Sequence, residues 1–352
     1  MEKKILFIGI PQAILYSKSI KQALCNLNYQ VIEPEYIPFK DQNAFQKRFF
    51  RKNFLNKFFS EQNQKYIEAV KKYNPDFVFV INNSRMGLAF LQYCEKINLP
   101  IYMYCIDSIR WCDKALEHMH YYTDIFSYEP SDTTIEFRKN QFIKFVPLGY
   151  DDNIYLPSIS ENKPYDLCFV GNLDKRRLTI LEEVAKYAYK NNLSFQLYTS
   201  IQLKKIDRIS LIPKILARRL KFKLKYPYLT KFIINELIIG KDLSDLYNKT
   251  KICINIHVGT YLGMHTGPNP RTFELLACKA FEIIDEGHIN QTILKNGRDL
   301  VEFNTPKDLI DKIDYYLKHE VERNNIANSG YATTKKYYNL QTLIEKIIKQ
   351  IN

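Results

Sequence analysis

Two oppositely charged residues three positions apart, Arg271 and Glu274, stand near the start of the run "PNPRTFELLACK" (268–279). A proline just before the periodic apolar residues predicts that a helix begins here, and side chains three apart lie on one side of a helix. An Arg there can neutralise a diphosphate, while a Glu carboxylate can accept hydrogen bonds from ribose hydroxyls. The alternative is a Glu that caps the helix and pairs with the Arg. The position of the pair between two predicted strands, 251–257 and 280–286, favours binding.

A second candidate for phosphate binding is the run "FVGNLDKRR" (169–177), in which a strand, a Gly-Asn turn and a helix start follow one another. Backbone N–H groups and the helix dipole can hold phosphate in that geometry. Gly171 and Asn172 form the turn, and Arg176 is one of three basic residues in the first turn of the helix. Because the run has a single glycine and no GxGxxG fingerprint, an ordinary turn is the alternative.

The candidate catalytic groups are an aspartate and a loop histidine. Asp107 ends the predicted strand "PIYMYCID" (100–107), where it can act as general base for an acceptor hydroxyl. A carboxylate that caps a helix starting near Ile109 is the alternative. His257 and His265 flank "VGTYLGM", a Gly-containing loop able to close over a bound donor, although a loop histidine is also often incidental.

Metal and disulfide chemistry are not expected. His118 and His120 have H-x-H spacing, but no third ligand with suitable spacing follows. The seven cysteines are scattered without CxxC or zinc spacing, which is typical of free thiols in a reducing compartment. The apolar stretch in "MEKKILFIGI" has the length of a strand rather than of a signal-peptide core, and no window approaches 18 apolar residues. The expected location is the cytoplasm, with the inner face of the plasma membrane as a second option.

The candidate site residues lie in a chain whose short apolar runs alternate with longer amphipathic ones. This alternation predicts parallel sheets with helices on both faces. Ligands bind such sheets beyond the carboxyl ends of the strands, so a cleft between two domains is expected. The predicted strands are "KILFIGI" (4–10), "DFVFVIN" (76–82), "PIYMYCID" (100–107), "QFIKFVP" (141–147), "YDLCFVGN" (165–172), "SFQLYTS" (194–200), "KICINIH" (251–257), "AFEIIDE" (280–286) and "DLVEF" (299–303).

The length of 352 residues, 46% of them apolar, is typical of two domains. The stretch "PLGYDDNIYLPSISENKP" (147–164) is rich in Pro, Gly, Ser, Asp and Asn, which is typical of a linker. We therefore predict a Rossmann-like acceptor domain at 1–150, a linker at 151–164 and a Rossmann-like donor domain at 165–336. A C-terminal helix is predicted at 337–352, and it could cross back to the first domain.

The formal net charge of +13 favours an anionic partner. Residues 45–59 combine five Lys/Arg with six Phe, and residues 204–231 combine ten Lys/Arg with a single acid, Asp207. Basic residues mixed with large apolar ones are typical of an interfacial helix on anionic lipid. A solvated basic helix with its apolar side in the core is an equal alternative. No RNP, KH or helix-turn-helix pattern is present, so no specific nucleic acid is expected.

Four ordered motifs across residues 165–350 resemble the C-terminal half of GT-B glycosyltransferases, specifically the CgeB-like branch. They are "FVGNL", "LYNKTKICINIH", "NPRTFELLACKAFEIIDE" and "DLVEFNTPKDLIDKIDYYLKHEVERNNIANSGY". The first half shares a less diagnostic stretch, "SYEPSDTTIEFRKN". The resemblance implies an α/β protein with two Rossmann-like doubly wound domains.

The same resemblance implies a function. The second domain would bind a nucleoside-diphosphate sugar as substrate, without a cofactor or metal. The first would bind an acceptor in surface glycan, lipid-linked glycan or glycoprotein assembly. Arg271 falls at the family's phosphate-facing Arg and Glu274 at the ribose-binding Glu. The expected donor-binding residues are Gly171, Asn172, Arg176, His257, Asn269, Arg271 and Glu274, and the expected catalytic residues are Asp107 and His265.

The chain also departs from the group 1 pattern. The first of the two family glutamates is replaced by Thr266, which leaves a retaining or inverting mechanism open. Glu282 lies eight positions from Glu274, but inside the following strand, so its spacing is interpreted as coincidence. Lys279 stands where many relatives have Gly. The alternative functions are a non-catalytic nucleotide or nucleotide-sugar binding module and, less favoured, a basic nucleic-acid-binding protein.

Overall fold

The computed structural model describes residues 3–10, 14–37, 51–82, 86–112, 115–159, 162–199, 220–258, 266–290 and 292–351, with the backbone alone described at 14–15 and 51–57. The chain forms two compact units. The first comprises Met1–Leu148 together with Leu340–Asn352, and the second comprises Gly149–Asn339.

The first unit is built on a six-stranded parallel sheet in the order β2-β1-β3-β4-β5-β8. Three of its inner strands are almost wholly apolar and buried, as strands covered on both faces are: Lys4–Ile8, Phe77–Ile81 and Ile101–Cys105. The strands of the sheet are β1 (Lys4–Ile8), β2 (Gln30–Ile32), β3 (Phe77–Ile81), β4 (Ile101–Cys105), β5 (Asp124–Ser127) and β8 (Lys144–Phe145).

The prediction of one strand at 141–147 is wrong, because the chain divides there into two short strands. β7 (Gln141–Phe142) pairs antiparallel with β6 (Glu136–Arg138), whereas β8 joins the parallel sheet beside β5. Asn140 takes a left-handed φ of 59°, and its backbone N–H donates to Glu136. This tight turn uses residues that a single strand would need.

The helices of the first unit are α1 (Ile14–Asn26), α2 (Arg51–Tyr73), α3 (Leu88–Lys96), α4 (Ala115–His118) and α10 (Leu340–Ile351). The last of them is strongly amphipathic. Leu343, Ile344 and Ile347 lie on one side of α10 and are buried, and the helix packs against α1. The C-terminal segment thus belongs to the same compact unit as the N-terminal half of the chain.

The second unit contains a six-stranded parallel sheet in the order β11-β10-β9-β12-β13-β14. Its strands are β9 (Tyr165–Val170), β10 (Phe195–Tyr198), β11 (Ile233–Ile234), β12 (Thr250–Asn255), β13 (Glu282–Asp285) and β14 (Val301–Phe303). The order reverses between β9 and β12, as in a doubly wound dinucleotide-binding fold. The prediction of Rossmann-like doubly wound sheets is confirmed.

The helices of the second unit are α5 (Lys175–Lys190), α6 (Gly240–Asn248), α7 (Pro270–Ala277), α8 (Pro306–Lys318) and α9 (Glu320–Tyr337). α5 and α8 cover one face of the sheet and form a core with β12 and β13. α7 contacts β12 and β13 and packs against α9. Among the described residues, no helix is both long enough and apolar enough to span a membrane.

Two backbone features fix the position of α7. Lys279, just beyond its end, has a left-handed φ of 56°, a conformation that glycine adopts most easily. Gly330 in α9 packs closely against two other segments of the same unit. A Cβ at this position would be 2.2 Å from the carbonyl oxygen of Asp299 and 2.8 Å from the Leu276 side chain. Only glycine lets α9 approach this closely.

Candidate functional site

The candidate site of the second unit lies at the carboxyl ends of three neighbouring strands, β9, β12 and β13. The strand-order reversal between β9 and β12 is the place where doubly wound sheets bind ligands. Gly171 follows β9, His257 follows β12, and Asp285 ends β13. These residues are far apart in sequence and are brought together by the parallel sheet.

The turn after β9 is held by a buried arginine. Gly171 has a backbone φ of 156°, which residues other than glycine rarely adopt. Its N–H donates to the Tyr198 carbonyl. The exposed Asn172 offers its carbonyl to Arg177 Nη1 at 2.8 Å. Nε and Nη2 of Arg177 donate to the Ile256 carbonyl at 2.9 and 2.6 Å. Arg177 therefore joins the loops after β9 and β12.

Arg176 points to the end of β13 instead. Its Nη1 lies 2.6 Å from Asp285 Oδ2 and 3.0 Å from the His257 carbonyl. Burial would raise the pKa of Asp285, but the hydrogen bond from His257 and the nearby positive charge of Arg176 hold that pKa well below its usual value. Asp285 is thus a permanent anion that fixes Arg176.

His257 is buried and oriented by the same aspartate. Its Nδ1 lies 2.7 Å from Asp285 Oδ1, and its Nε2 accepts from the Asn269 backbone N–H at 3.3 Å. These contacts assign the proton to Nδ1. Burial lowers the pKa of His257, although Asp285 opposes the shift, so the ring is held neutral. His288 stacks on this ring with 3.4 Å between centroids.

His257, Asp285 and His288 also form a group that could hold a metal ion, since their ligand atoms lie within 4.8 Å of one another. The geometry fits a cation poorly. Asp285 is already paired with Arg176, and two histidine rings stacked nearly parallel, at 12°, do not direct their nitrogens at a common point. The three residues are better explained as supports for the loop after β12.

The N-terminus of α7 presents Asn269 and Arg271. Asn269 precedes the helix, and its side-chain Nδ2 donates to Asn255 Oδ1 at 3.0 Å. Nη1 of Arg271 lies 3.5 Å from the same oxygen. Its Nε is buried and has no hydrogen-bond partner among the described residues. Arg271 is therefore anchored weakly, with donor capacity left for a ligand.

Glu274 lies one turn further along α7 and is partly buried. Burial raises its pKa, while Arg271 and a hydrogen bond from Tyr155 act in the opposite direction. Tyr155 comes from the stretch expected to be a linker, which in the structure belongs to the second unit from Gly149 onward. Arg271 and Tyr155 are thus the groups that favour the ionised form of Glu274.

Glu282 and Asn255 complete the interior of the site. Glu282 is fully buried, and its Oε1 accepts from Asn255 Nδ2 at 2.7 Å and from Thr272 Oγ1 at 3.0 Å. Burial raises the pKa of Glu282 to about 7, against the effect of these hydrogen bonds and of Arg271. The eight-residue spacing of Glu274 and Glu282 was interpreted as coincidence in the sequence. In the structure Glu282 is a buried acid that contacts α7 through Thr272.

In the first unit, Asp107 is exposed at the end of β4. Its Oδ2 accepts a hydrogen bond from Asn82 Nδ2 at 2.8 Å. The following 3₁₀ helix, Ile109–Trp111, is capped instead by Ser108, whose hydroxyl oxygen accepts from the Arg110 N–H. The buried Asp132 accepts from the Ile109 N–H at 2.8 Å. The capping alternative for Asp107 is therefore wrong.

The remaining sequence candidates divide into two groups. His265 lies outside the described residues. His118 and His120 lie on either side of Met119, and the structure assigns neither to a metal-ligand group within its described parts.

Sequence reasoning missed Asn255, Tyr155, Asp285 and Arg177 as parts of the site. Asn255 and Asp285 lay near the carboxyl ends of the predicted strands 251–257 and 280–286, and polar residues in that position were the available indication. Tyr155 gave none, because nothing local links it to Glu274.

Known proteins are similar to this chain in sequence. Residues 203–349 match a family described as glycosyl transferase-like. Spore protein CgeB of Bacillus subtilis (strain 168) is 20% identical over 289 residues, which cover 79% of this chain and 83% of that protein.

Solved structures share the fold over the whole chain. Sucrose-phosphate synthase from Thermosynechococcus elongatus superposes with a TM-score of 0.69 at 12% identity, covering 99% of this chain and 98% of that one. HepE of Anabaena, in complex with UDP and glucose, superposes with a TM-score of 0.62 at 12% identity, covering 99% of each chain. The expected GT-B fold is confirmed.

Proposed function

We propose that this chain, which has the GT-B fold and is similar to spore protein CgeB, is a glycosyltransferase that transfers a sugar from a nucleoside diphosphate to a glycan, lipid-linked or protein acceptor. The second unit binds the donor, and the first unit binds the acceptor. Complexes of the HepE neighbour with UDP and with UDP-glucose support a nucleotide-sugar donor.

The observation that supports the donor site best is Arg271. Its Nε is buried without a partner among the described residues, and its Nη1 has one long contact, to Asn255. A buried guanidinium nitrogen whose N–H has no partner is costly unless a ligand accepts its hydrogen bond. The α7 N-terminus beside it favours negative charge. We assign the diphosphate to this place, with Gly171 and Asn172 on its other side.

The ribose is assigned to Glu274. The carboxylate lies one turn beyond Arg271, and each of its oxygens can accept hydrogen bonds from vicinal hydroxyls. Tyr155 holds the carboxylate in place from outside the helix. Arg176, His257 and Asn269 act indirectly, since their contacts with Asp285 and Asn255 hold the loop against which the donor lies.

Sugar transfer requires that an acceptor hydroxyl attack the anomeric carbon while the nucleoside diphosphate leaves. Asp107 is proposed as the base that accepts the hydroxyl proton, because its carboxylate is exposed and Asn82 orients it through Oδ2. His265 stays a second catalytic candidate. We propose that Arg271 and the helix dipole stabilise the leaving diphosphate without a metal ion.

A membrane surface is proposed as the place of the acceptor. Residues 45–50 and 204–219 lie outside the described residues, and in the first segment side chains are described only at 58 and 59. In the described end of the second segment, Leu220 and Leu224 are 59% and 72% exposed, with Lys221 and Lys223 exposed beside them. This supports an interfacial helix there. Phe58 in the first segment is buried, which favours the core alternative for that residue.

The test is sugar transfer by the purified chain from a panel of nucleotide sugars onto lipid-linked and glycan acceptors. Transfer that is lost in Asp107→Asn, while nucleoside-diphosphate binding stays at the wild-type level, supports the enzyme. Binding without transfer under every condition supports the alternative, a non-catalytic nucleotide-sugar binding module. Absence of both binding and transfer contradicts the proposal.

A further inference from the structure

Glu282 is a buried acid that the donor site as proposed above does not use. It opens β13, and its side chain has no solvent exposure. Its Oε2 has no hydrogen-bond partner among the described residues. A carboxyl group that is buried and only half satisfied destabilises a fold. A buried acid of this kind indicates a role beyond packing.

Of the two residues that donate to Glu282, Asn255 and Thr272, Asn255 makes the shorter hydrogen bond. Glu282 Oε1 lies 2.7 Å from Asn255 Nδ2. That nitrogen also lies 3.1 Å from Thr272 Oγ1 and 3.1 Å from Asn269 Oδ1. Asn255 is itself fully buried at the end of β12. Its amide connects the start of β13 with the first turn of α7.

The two ends of an Asn amide are nearly equal in size but opposite in hydrogen bonding, so only its partners decide which end points where. Glu282 Oε1 accepts hydrogen bonds, and therefore the NH₂ end of Asn255 must face it. This orientation turns Oδ1 of Asn255 outward, to Asn269 Nδ2 at 3.0 Å and Arg271 Nη1 at 3.5 Å. With the amide reversed, an NH₂ group would face the Arg271 guanidinium, and two donors would oppose each other.

We propose that Glu282 is a positioning residue for the donor: it fixes the Asn255 amide, and Asn255 directs the Arg271 guanidinium at the diphosphate. This inference rests on the proposed donor site. Glu282 does not touch the ligand in this arrangement. It acts through two residues, one on β12 and one on α7.

The charges around Glu282 are consistent with such a role. From α7, Arg271 favours the ionised carboxylate, and on its own strand Asp285 opposes ionisation. From β12 and α7, Asn255 and Thr272 contribute neutral donors. Since burial raises the pKa of Glu282 to about 7, the group is mainly ionised at pH 8. Binding measurements at pH 8 therefore report the ionised state.

The experiment compares wild type with three variants at pH 8. Glu282→Leu removes both acceptor oxygens, Glu282→Gln keeps one acceptor oxygen, and Asn255→Ala removes the amide itself. Glu183→Gln on α5 is the control, because Glu183 is an exposed acid of the same unit. Titration calorimetry measures the affinities for UDP, GDP and ADP and for uridine, guanosine and adenosine. Thermal unfolding is recorded for every variant.

Glu282→Leu and Asn255→Ala should each weaken diphosphate binding about tenfold, the effect of one charge-assisted hydrogen bond. The affinity for the matching nucleoside should change less than about twofold, because the nucleoside does not reach Arg271. Glu282→Gln should retain most of the affinity, and Glu183→Gln all of it. If Glu282→Leu does not fold, Asn255→Ala alone tests the same connection.

Equal losses for nucleoside and diphosphate, or unchanged diphosphate affinity in a folded variant, would show that Glu282 only stabilises the fold. A wild-type chain that binds none of the six ligands would overturn the donor site and this inference together. The two failures are therefore distinguishable. Only the first leaves the proposed function intact.

Discussion

Removing the ionisable group at position 282 should make the stability of the protein less dependent on pH. Burial raises the pKa of Glu282 from an ordinary 4.5 to about 7 in the folded chain. The folded state therefore binds the Glu282 proton more tightly than the unfolded state does between these values. Its contribution to stability is fully present below about pH 4.5 and is lost as the pH rises through about 7.

The size of the effect follows from the shift. Each pKa unit corresponds to about 1.4 kcal/mol, so a shift of 7 − 4.5, or about 2.5 units, amounts to roughly 3 kcal/mol. Between pH 5 and pH 8 most of it, about 2.5 kcal/mol, is lost in the wild type. Glu282→Gln has nearly the same shape and keeps an acceptor for Asn255, but it cannot ionise. The free energy of unfolding of the variant, relative to that of the wild type, should therefore rise by about 2.5 kcal/mol from pH 5 to pH 8.

The assay is urea unfolding of both proteins from pH 5 to pH 8, followed by far-ultraviolet circular dichroism. Every other titrating group is common to the two proteins, so the difference in their free energies of unfolding isolates Glu282. Trp111, the single tryptophan of the chain, belongs to the first unit. Its fluorescence reports that unit separately and should not distinguish the proteins.

Glu183→Gln again serves as the control and should follow the wild type at every pH. A difference between Glu282→Gln and wild type that stays constant within about 0.5 kcal/mol from pH 5 to pH 8 would refute the reasoning. The carboxyl group would then ionise at the same pH whether the chain is folded or not.

Three further outcomes are expected. Calorimetry should show that Arg271→Ala loses affinity for a nucleoside diphosphate far more than for the nucleoside. Glu274→Ala should lose about 1.5–3 kcal/mol of binding free energy for both ligands. Equal effects of the two changes would contradict separate roles of Arg271 at the diphosphate and Glu274 at the ribose. Gly330→Ala should destabilise the protein by several kcal/mol, of the order of the larger core overpacking costs, because its Cβ would lie 2.2 Å from a carbonyl oxygen, and an unchanged thermal midpoint would contradict this. Liposome flotation should be stronger with anionic lipid and reduced in a Lys221→Gln, Lys223→Gln variant, and binding equal with and without anionic lipid at low salt would end the membrane proposal.

The sequence predicts the sheets of this protein well because buried parallel strands are continuous apolar runs. The run of β3 could not be mistaken, since all five of its residues, Phe77–Ile81, are apolar. β2 and β11 were not predicted, because they have only three and two residues. So short a strand is stabilised by its neighbours in the sheet and leaves no pattern of its own.

The site could be predicted only in part. Arg271 and Glu274 were found because they share one helix turn, where local spacing determines direction. Their partners could not be found in this way. Asn255 and Tyr155 contact them from positions 16 and 119 residues away in sequence, and only the sheet order and the packing of α7 bring them close. Arg176 and Arg177 are adjacent in sequence, yet one pairs with Asp285 while the other holds two carbonyls.

The run "EIID" of β13 shows why residue type alone does not determine chemistry here. Glu282 and Asp285 are three residues apart, so a strand places them on opposite faces. Asp285 faces Arg176 and His257, and these partners hold its pKa low. Glu282 faces an amide and a hydroxyl, and its pKa rises. Asp285 consequently keeps its charge throughout the physiological range and serves as a fixed counter-ion. Glu282 changes its charge near neutral pH, and through Asn255 it is the acid of this strand that can make the start of α7 sensitive to pH.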